Sequence, residues 1–194
     1  LSNTIPLKKV LIHGLIRDEQ NRKMSKSLGN GIDPNDVIDK YGADALRLFL
    51  CSSSTLGEDL RFSTEKIVYM TNFLNKFWNA HNYLQNYKDY KEVKEFNRPL
   101  NQWMINEFNN FIVKINKLFD EYNFSVLTNT IIDFVWNKYC NVYLEFIHPL
   151  LNNPEHRDET ATLMHKIFNY LNIILHPFCP FITANLYQAF THTH

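Results

Sequence analysis

The sequence predicts a mainly α protein, in which a small β/α segment carrying a cationic loop precedes an antiparallel helix bundle. Beyond residue 63, apolar side chains recur at alternating spacings of 3 and 4, the signature of one buried helix face. Four such stretches follow one another with short connections, which argues for antiparallel neighbours. Before residue 63, a β-branched run leads into a loop without hydrophobic period. At 194 residues and 45% hydrophobic content, the chain is long enough for one good-sized core, or for a small module joined to a larger one.

Residues 8–16, Lys-Lys-Val-Leu-Ile-His-Gly-Leu-Ile, read as a buried strand. A turn follows over Asp18 to Asn21, with Asn21 suited to the left-handed conformation. Arg22 to Gly31 read as a loop. Asp33 offers a side-chain acceptor, Pro34 fits the first helical position and Asp36 complements the dipole, so a short helix should run to Gly42. A second short helix spans Ala43 to Ser53, and Ser52 to Gly57 read as a loop.

Ser63 is the expected N-cap of the first long helix, with Lys66 at its third position. Ile67, Met70, Leu74, Phe77, His81 and Leu84 form its stripe, and a helix from Ser63 to about Tyr87 is roughly 37 Å long at 1.5 Å per residue. The mixed-charge segment Lys88 to Arg98 links it to a second. There Leu100, Trp103, Met104, Phe108, Phe111, Ile112, Ile115, Leu118, Phe119 and Tyr122 repeat the pattern up to Asn123. A third stretch, Ser125 to Phe146, turns Leu127, Ile131, Phe134, Val135 and Val142 inward and stops before Pro149. The fourth starts near Glu155, carries Met164, Ile167, Leu171, Ile174 and Leu175 on one side, and stops before Pro177. Pro177 and Pro180 force the backbone out of helix, and Ile182 to Phe190 resume it.

Lys plus Arg and Asp plus Glu are both 20, so any RNA contact comes from local patches rather than an overall field. No stretch of about 18 apolar residues and no export signal is present, which points to the cytoplasm. Cys51, Cys140 and Cys179 are odd in number and lie in apolar stretches, as reduced packing residues do. His148, His165 and His176 share no metal-ligand spacing with them, and no metal site is expected. His13 and His81 read as structural, and Trp78, Trp103 and Trp136 neighbour core stripes and read as packing. The charges of Lys88 to Lys94 alternate in sign, as on a solvated face. His192-Thr193-His194 read as a frayed end or a cloning scar, and Leu1, without a preceding Met, reads as the start of a fragment.

The chemistry lies in Lys23-Met24-Ser25-Lys26-Ser27-Leu28-Gly29-Asn30, two ammonium groups and two hydroxyls on a loop ahead of a helix. That set suits a polyphosphate. Attack on an ATP phosphorus builds charge on the departing pyrophosphate, and a mobile cation meeting it there stabilises the transition state more than the ground state. Lysine brings a compact charge on a long stem, and a loop can close after substrate enters. Taken alone, the pentapeptide is equally compatible with solvated surface. With Asp33-Pro34, Asp39-Lys40-Tyr41-Gly42-Ala43-Asp44 and Arg47, the region resembles the second signature of class I aminoacyl-tRNA synthetases.

Further residues resemble the valyl subfamily. They are Ile12 to Gln20, Gly57-Glu58-Asp59-Leu60-Arg61-Phe62-Ser63, Phe73 to Ala80, Trp136-Asn137-Lys138-Tyr139-Cys140, and His176 to Thr183. The likeness is patchy only between Tyr87 and Leu100. Asn21 stands where that subfamily often has Gly, and Ala184-Asn185 where it usually has acidic residues.

The resemblance implies that residues 1–62 are the end of a catalytic domain with its loop and connecting helices, and 63–194 a helical anticodon-binding domain. It implies ATP, with Mg2+ on its phosphates, bound by Lys23, Met24, Ser25, Lys26 and Ser27. Lys26 is the ATP-binding lysine and Lys23 the second phosphate contact. Valine and tRNA(Val) are the implied substrates. The first signature, the amino-acid pocket and the editing domain lie upstream in such enzymes, so this segment alone is expected to be inactive. The alternatives are a fragment of the isoleucyl subfamily, whose loop region is similar, and a non-enzymatic helical module that binds RNA or protein.

Overall fold

The computed structural model describes residues 7–191. Leu1 and His192 to His194 lie outside them. Ahead of the helices, β1 (Ile16–Arg17) pairs in parallel with β2 (Leu60–Arg61), with Ile16 opposite Leu60 and Arg17 opposite Arg61. The buried strand expected over 8–16 is therefore confined to its last residue and Arg17. Val10 is 73% and Ile12 71% exposed. Burying a parallel strand requires covering layers on both faces, whereas this segment pairs along one edge with the 56–62 stretch, through bonds such as Gly57 N to Ile12 O (3.0 Å) and Leu60 N to Leu15 O (2.8 Å). Gly14 permits that approach. A Cβ there would lie 2.0 Å from the Glu58 carbonyl oxygen, so no other residue fits.

The short helices form where expected. In α1 (Pro34–Tyr41), Asp33 accepts from Asn35 N (2.8 Å), and Gly42 takes φ 88° before α2 (Ala43–Ser53) begins. Val37, Ala45, Leu48 and Phe49 turn inward and join the core of the bundle.

The long helices are α3 (Thr64–Gln85), α4 (Pro99–Asp120), α5 (Phe124–Asp133) with its continuation, and α8 (Pro154–Leu175). Ser63 caps α3 by accepting from Lys66 N, and the whole predicted stripe of α3, His81 included, is buried. Side-chain pairings give the directions. Tyr69 stacks on Trp136 while Tyr83 lies beside Glu145, so α3 and the helix after α5 run together. Phe108 meets Phe134 while Asn101 meets Tyr143, so α4 opposes that helix. Asn101 bonds Glu159 and Phe108 meets Tyr170, so α8 runs with α4. The result is an antiparallel bundle with an aromatic centre, where Phe77 stacks on Phe168 at 4.6 Å and Phe111 on Phe134 at 4.1 Å.

Three local expectations change. Phe119, assigned to the inward pattern of α4, is 58% exposed, because the helix ends one residue later at Asp120, beyond its packed part. Tyr122 at φ 56° breaks the chain, and Asn123 starts the next helix rather than ending this one: its side chain accepts from Val126 N. The third stretch is not a uniform α-helix. It winds as a π-helix over Phe134–Tyr143 before α6 (Leu144–Phe146). Its buried residues come in pairs, 134 with 135, 139 with 140, and 143 with 144. That recurrence of 4 to 5 is wider than an α-helical turn, and wider winding keeps every pair inside. Tyr139 then donates to Met164 O (2.8 Å) and Tyr143 to Asn101 Oδ1 (3.0 Å).

After α7 (His148–Leu151) and α8, the helix stops before Pro177 as expected, but α9 (Pro180–Thr191) resumes at Pro180 rather than at Ile182, because a proline fits the first helical position. Here α2 clamps the bundle. Arg47 donates to the carbonyls of Pro177 (2.9 Å) and Phe178 (3.1 Å), while Asp44 accepts from the amides of Phe181 (3.3 Å) and Ile182 (2.7 Å).

Candidate functional site

The Lys23–Ser27 loop is built on a buried carboxylate. Asp18, 4% exposed, accepts from Arg22 N (2.7 Å), Arg22 Nε (2.8 Å), Gln20 N (3.1 Å) and Asn30 Nδ2 (2.9 Å). Burial pushes its pKa up, but the hydrogen bonds from Asn30 and Arg22 prevail and hold it at about 2. Asn21, at φ 64°, closes the turn over this carboxylate as expected. The next residue, Glu19, accepts from the amide (3.2 Å) and hydroxyl (2.6 Å) of Thr64, which hold its carboxyl below the usual range. Thr64 is the first residue of α3, so adjacent side chains fasten the turn to the loop and to the bundle.

Within the loop, Ser25 Oγ accepts from Leu28 N (3.3 Å) and lies 3.2 Å from Ser27 Oγ, shaping a single 3-10 turn over Lys26–Leu28. Gly29 ends that turn at φ 60°. Met24 is half-buried and packs on the core. Lys23 and Lys26 are exposed, and neither forms an ion pair among the described residues. The loop thus anchors its small and apolar side chains and leaves both ammonium groups to solvent.

A second concavity lies in the bundle, where α3 faces the π segment and the helices after it. The cavity is about 190 Å³, floored by Ala80, Cys140 and Leu144 and ringed by Lys76, Asn79, Tyr83, Glu145 and His148. Burial pushes the Cys140 thiol up to about 12, so it stays protonated. Burial and the neighbouring Tyr87 phenol raise Tyr83 as well. The site has apolar walls and a rim of donors and acceptors of both charges. Nothing in the sequence periodicity singled out these residues, because they come from separate helices.

The tryptophans divide. Trp136 stacks on Tyr69 (5.3 Å) and Phe73 (6.1 Å), and Lys138 lies over the Trp103 ring (5.8 Å), both as packing residues. Trp78, expected to pack, is 42% exposed, since it sits one position off the α3 stripe. His13 is exposed and bonds only locally, through Nδ1 to Gly14 O (2.8 Å). Among the described residues no group of three His, Cys, Asp or Glu side chains comes together to hold a metal ion.

Comparison with known proteins matches two stretches of the chain. Residues 1–63 match the family of class I tRNA synthetases (I, L, M and V), and residues 101–194 match the anticodon-binding domain of tRNA ligase. The valine–tRNA ligase of Ureaplasma parvum serovar 3 is 45% identical over 97% of this chain and 22% of its own length. That of Mycoplasma mycoides subsp. mycoides SC is 46% identical over 94% of the chain and 22% of its length. The chain belongs to the valine–tRNA ligase family. It spans about a fifth, 22%, of the length of these valine–tRNA ligases. The Bacillus anthracis valine–tRNA ligase is likewise 42% identical over 96% of the chain. Two solved structures share the fold at a TM-score of 0.70. One is the LeuRS of Agrobacterium radiobacter K84 in a ternary complex with tRNA and LeuAMS, 21% identical over 91% of this chain and 22% of that one. The other is Mycobacterium tuberculosis methionyl-tRNA synthetase with methionyl-adenylate, 19% identical over 90% of this chain and 36% of that one.

For a valine–tRNA ligase segment, the sequence had pointed to Lys23 through Ser27. Asp18, Asp44 and Arg47 belonged to the likeness without any assigned role. In the structure Asp18 organises the loop base, and Asp44 and Arg47 fix α2 to the end of the bundle.

Proposed function

We propose that this chain supplies a valine–tRNA ligase with its ATP-phosphate loop and the bundle that receives tRNA(Val), divided at residues 1–62 and 63–194. One observation carries the reading: a fastened loop in the segment akin to class I tRNA synthetases leaves the Lys23 and Lys26 ammonium groups unpaired in solvent. Activation joins the valine carboxylate to the α-phosphorus of ATP and releases pyrophosphate, with Mg2+ carried on the phosphates. Negative charge grows on the leaving group, and Lys26, with Lys23 beside it in the chain, meets that charge at the moment it forms. Ser25 and Ser27 set the turn that presents Lys26, and Met24 anchors it to the core. The remaining length of the ligase provides the valine pocket.

The bundle cavity is the proposed seat of an unstacked base of the anticodon loop. RNA loops are read by inserting splayed bases between apolar walls with polar edges, while nearby cations take the backbone. Ala80 and Leu144 serve as the walls, Asn79, Tyr83 and Glu145 as edge partners, and Lys76 as the phosphate contact. The described residues contain no helix long and apolar enough to cross a membrane. The proposed place of work is the cytoplasm, where tRNA is charged for the ribosome.

The decisive experiment is valine-dependent pyrophosphate exchange by the full-length ligase carrying this chain. Lys26→Ala should slow it by about 100- to 1000-fold, the loss seen when one preorganised electrostatic contact is removed, with tRNA affinity nearly unchanged. An unaltered exchange rate would refute the role of the loop.

A further inference from the structure

Asn30 lies just beyond the loop and spends every donor and acceptor of its amide on holding it. Nδ2 donates to Asp18 Oδ2 (2.9 Å) and to the Lys23 carbonyl (3.2 Å), and Oδ1 accepts from the Ser25 amide (2.9 Å). One side chain therefore bonds the entering strand at two residues and the buried carboxylate beneath. Between those attachments lie Lys26, the 3-10 turn and left-handed Gly29, which make no other side-chain bond to the body of the protein among the described residues.

We propose that Asn30 is the positioning residue of the phosphate loop, a cross-brace that joins both ends of the Lys23–Gly29 segment to Asp18 so that Lys23 and Lys26 move as one body. The proposal rests on the phosphate-loop reading above and assigns a residue outside the lysine–serine motif to the same reaction. The physical reason is entropy. A seven-residue segment with two flexible ammonium stems must be ordered each time the transition state forms, and a brace that orders its base in advance removes part of that cost. The brace has the chemistry for it: its amide faces an ionised acceptor below and backbone groups on the loop side, so one side chain ties the two together. Asp18 is itself held by the Arg22 side chain and backbone, which fixes the lower anchor through a residue outside the Lys23–Gly29 segment.

The test is a set of single and double variants of the full-length ligase carrying this chain, read by valine-dependent pyrophosphate exchange. Asn30→Ala removes all three hydrogen bonds of the brace and should lower kcat by about ten- to a hundredfold, with KM for valine unchanged and the melting temperature of the bundle retained. Because Asn30 acts through the lysines, Lys26→Ala combined with Asn30→Ala should be no slower than Lys26→Ala alone; independent, multiplying losses would overturn the proposal. Asn30→Asp sets a second carboxylate against Asp18 and should be at least as slow as the Ala variant. If Lys26→Ala is slow and Asn30→Ala matches the parent, the brace fails while the phosphate-loop reading stands. If Lys26→Ala is fast, that reading fails first.

Discussion

The clamp between α2 and the end of the bundle offers a quantitative test of how the loop-bearing part is held. Helix α9 begins with Pro180, which has no amide hydrogen, and Cys179 N is already bonded to Leu175 O (3.0 Å). Its free donors at the N-terminus are therefore those of Phe181 and Ile182, and both go to the Asp44 carboxylate, 7% exposed on α2. Asp44 thus caps a helix 136 residues away in sequence, counted to Pro180. Replacing it by Ala leaves two poorly solvated amides without acceptors and removes a favourable charge from the helix dipole. A lost cap and its unsatisfied donors together cost about 2 kcal/mol. For a chain of this size, that lowers the melting temperature by about 4–8 °C. Thermal unfolding followed by circular dichroism measures the shift, and amide hydrogen exchange should show Phe181 and Ile182 losing protection first. Asp44→Asn keeps one acceptor oxygen and should lie about halfway. An Ala variant melting within about 1 °C of the parent, or exchange that speeds up everywhere except at the start of α9, would refute the trans-cap.

Other consequences follow from the same geometry. Phe77→Ala opens the stack with Phe168 at a fully buried position and should destabilise by about 3–5 kcal/mol, read from chemical denaturation. Lys76→Ala should weaken tRNA binding and reduce the salt dependence by about one released counterion, while an equal salt slope in parent and variant would remove Lys76 from the interface. Stability should fall in two acid steps. Burial lowers the His81 pKa, so its contribution is present above the ordinary 6.5 and is lost as pH falls through the lower folded value. Asp18 is lowered from 3.8 to about 2, so its contribution is present above 3.8 and disappears as pH falls toward 2. Unfolding midpoints against pH should lose the first step in His81→Phe and show a smaller second step in Asp18→Asn, since the hydrogen-bonded carboxylates of Glu19, Asp59 and Glu92 are held low as well.

The sequence alone determined what depends on neighbours along the chain. Ser63, Asp33-Pro34 and Gly42 act within one helical turn of themselves, so caps and starts could be read directly, and α1 and α2 fall on their expected residues. The α3 stripe was legible because side chains three and four apart share a face whatever packs on it. Lys23 through Ser27 stood out because their chemistry is unusual for a loop, before any geometry was known.

Tertiary structure alone decided the rest, because those features bring together residues far apart in sequence. The 8–16 run carries the apolarity of a buried strand, but burial depends on what lies across it, and 56–62 covers only an edge. The π winding of 134–143 follows from where Tyr139 and Tyr143 find Met164 and Asn101, although the paired apolar positions carried a trace of it. The cavity draws residues from α3, the π segment, α6 and α7, and the trans-cap joins Asp44 to Ile182. Local periodicity fixes which face of an element turns inward; which partner it meets there is set by the packed whole.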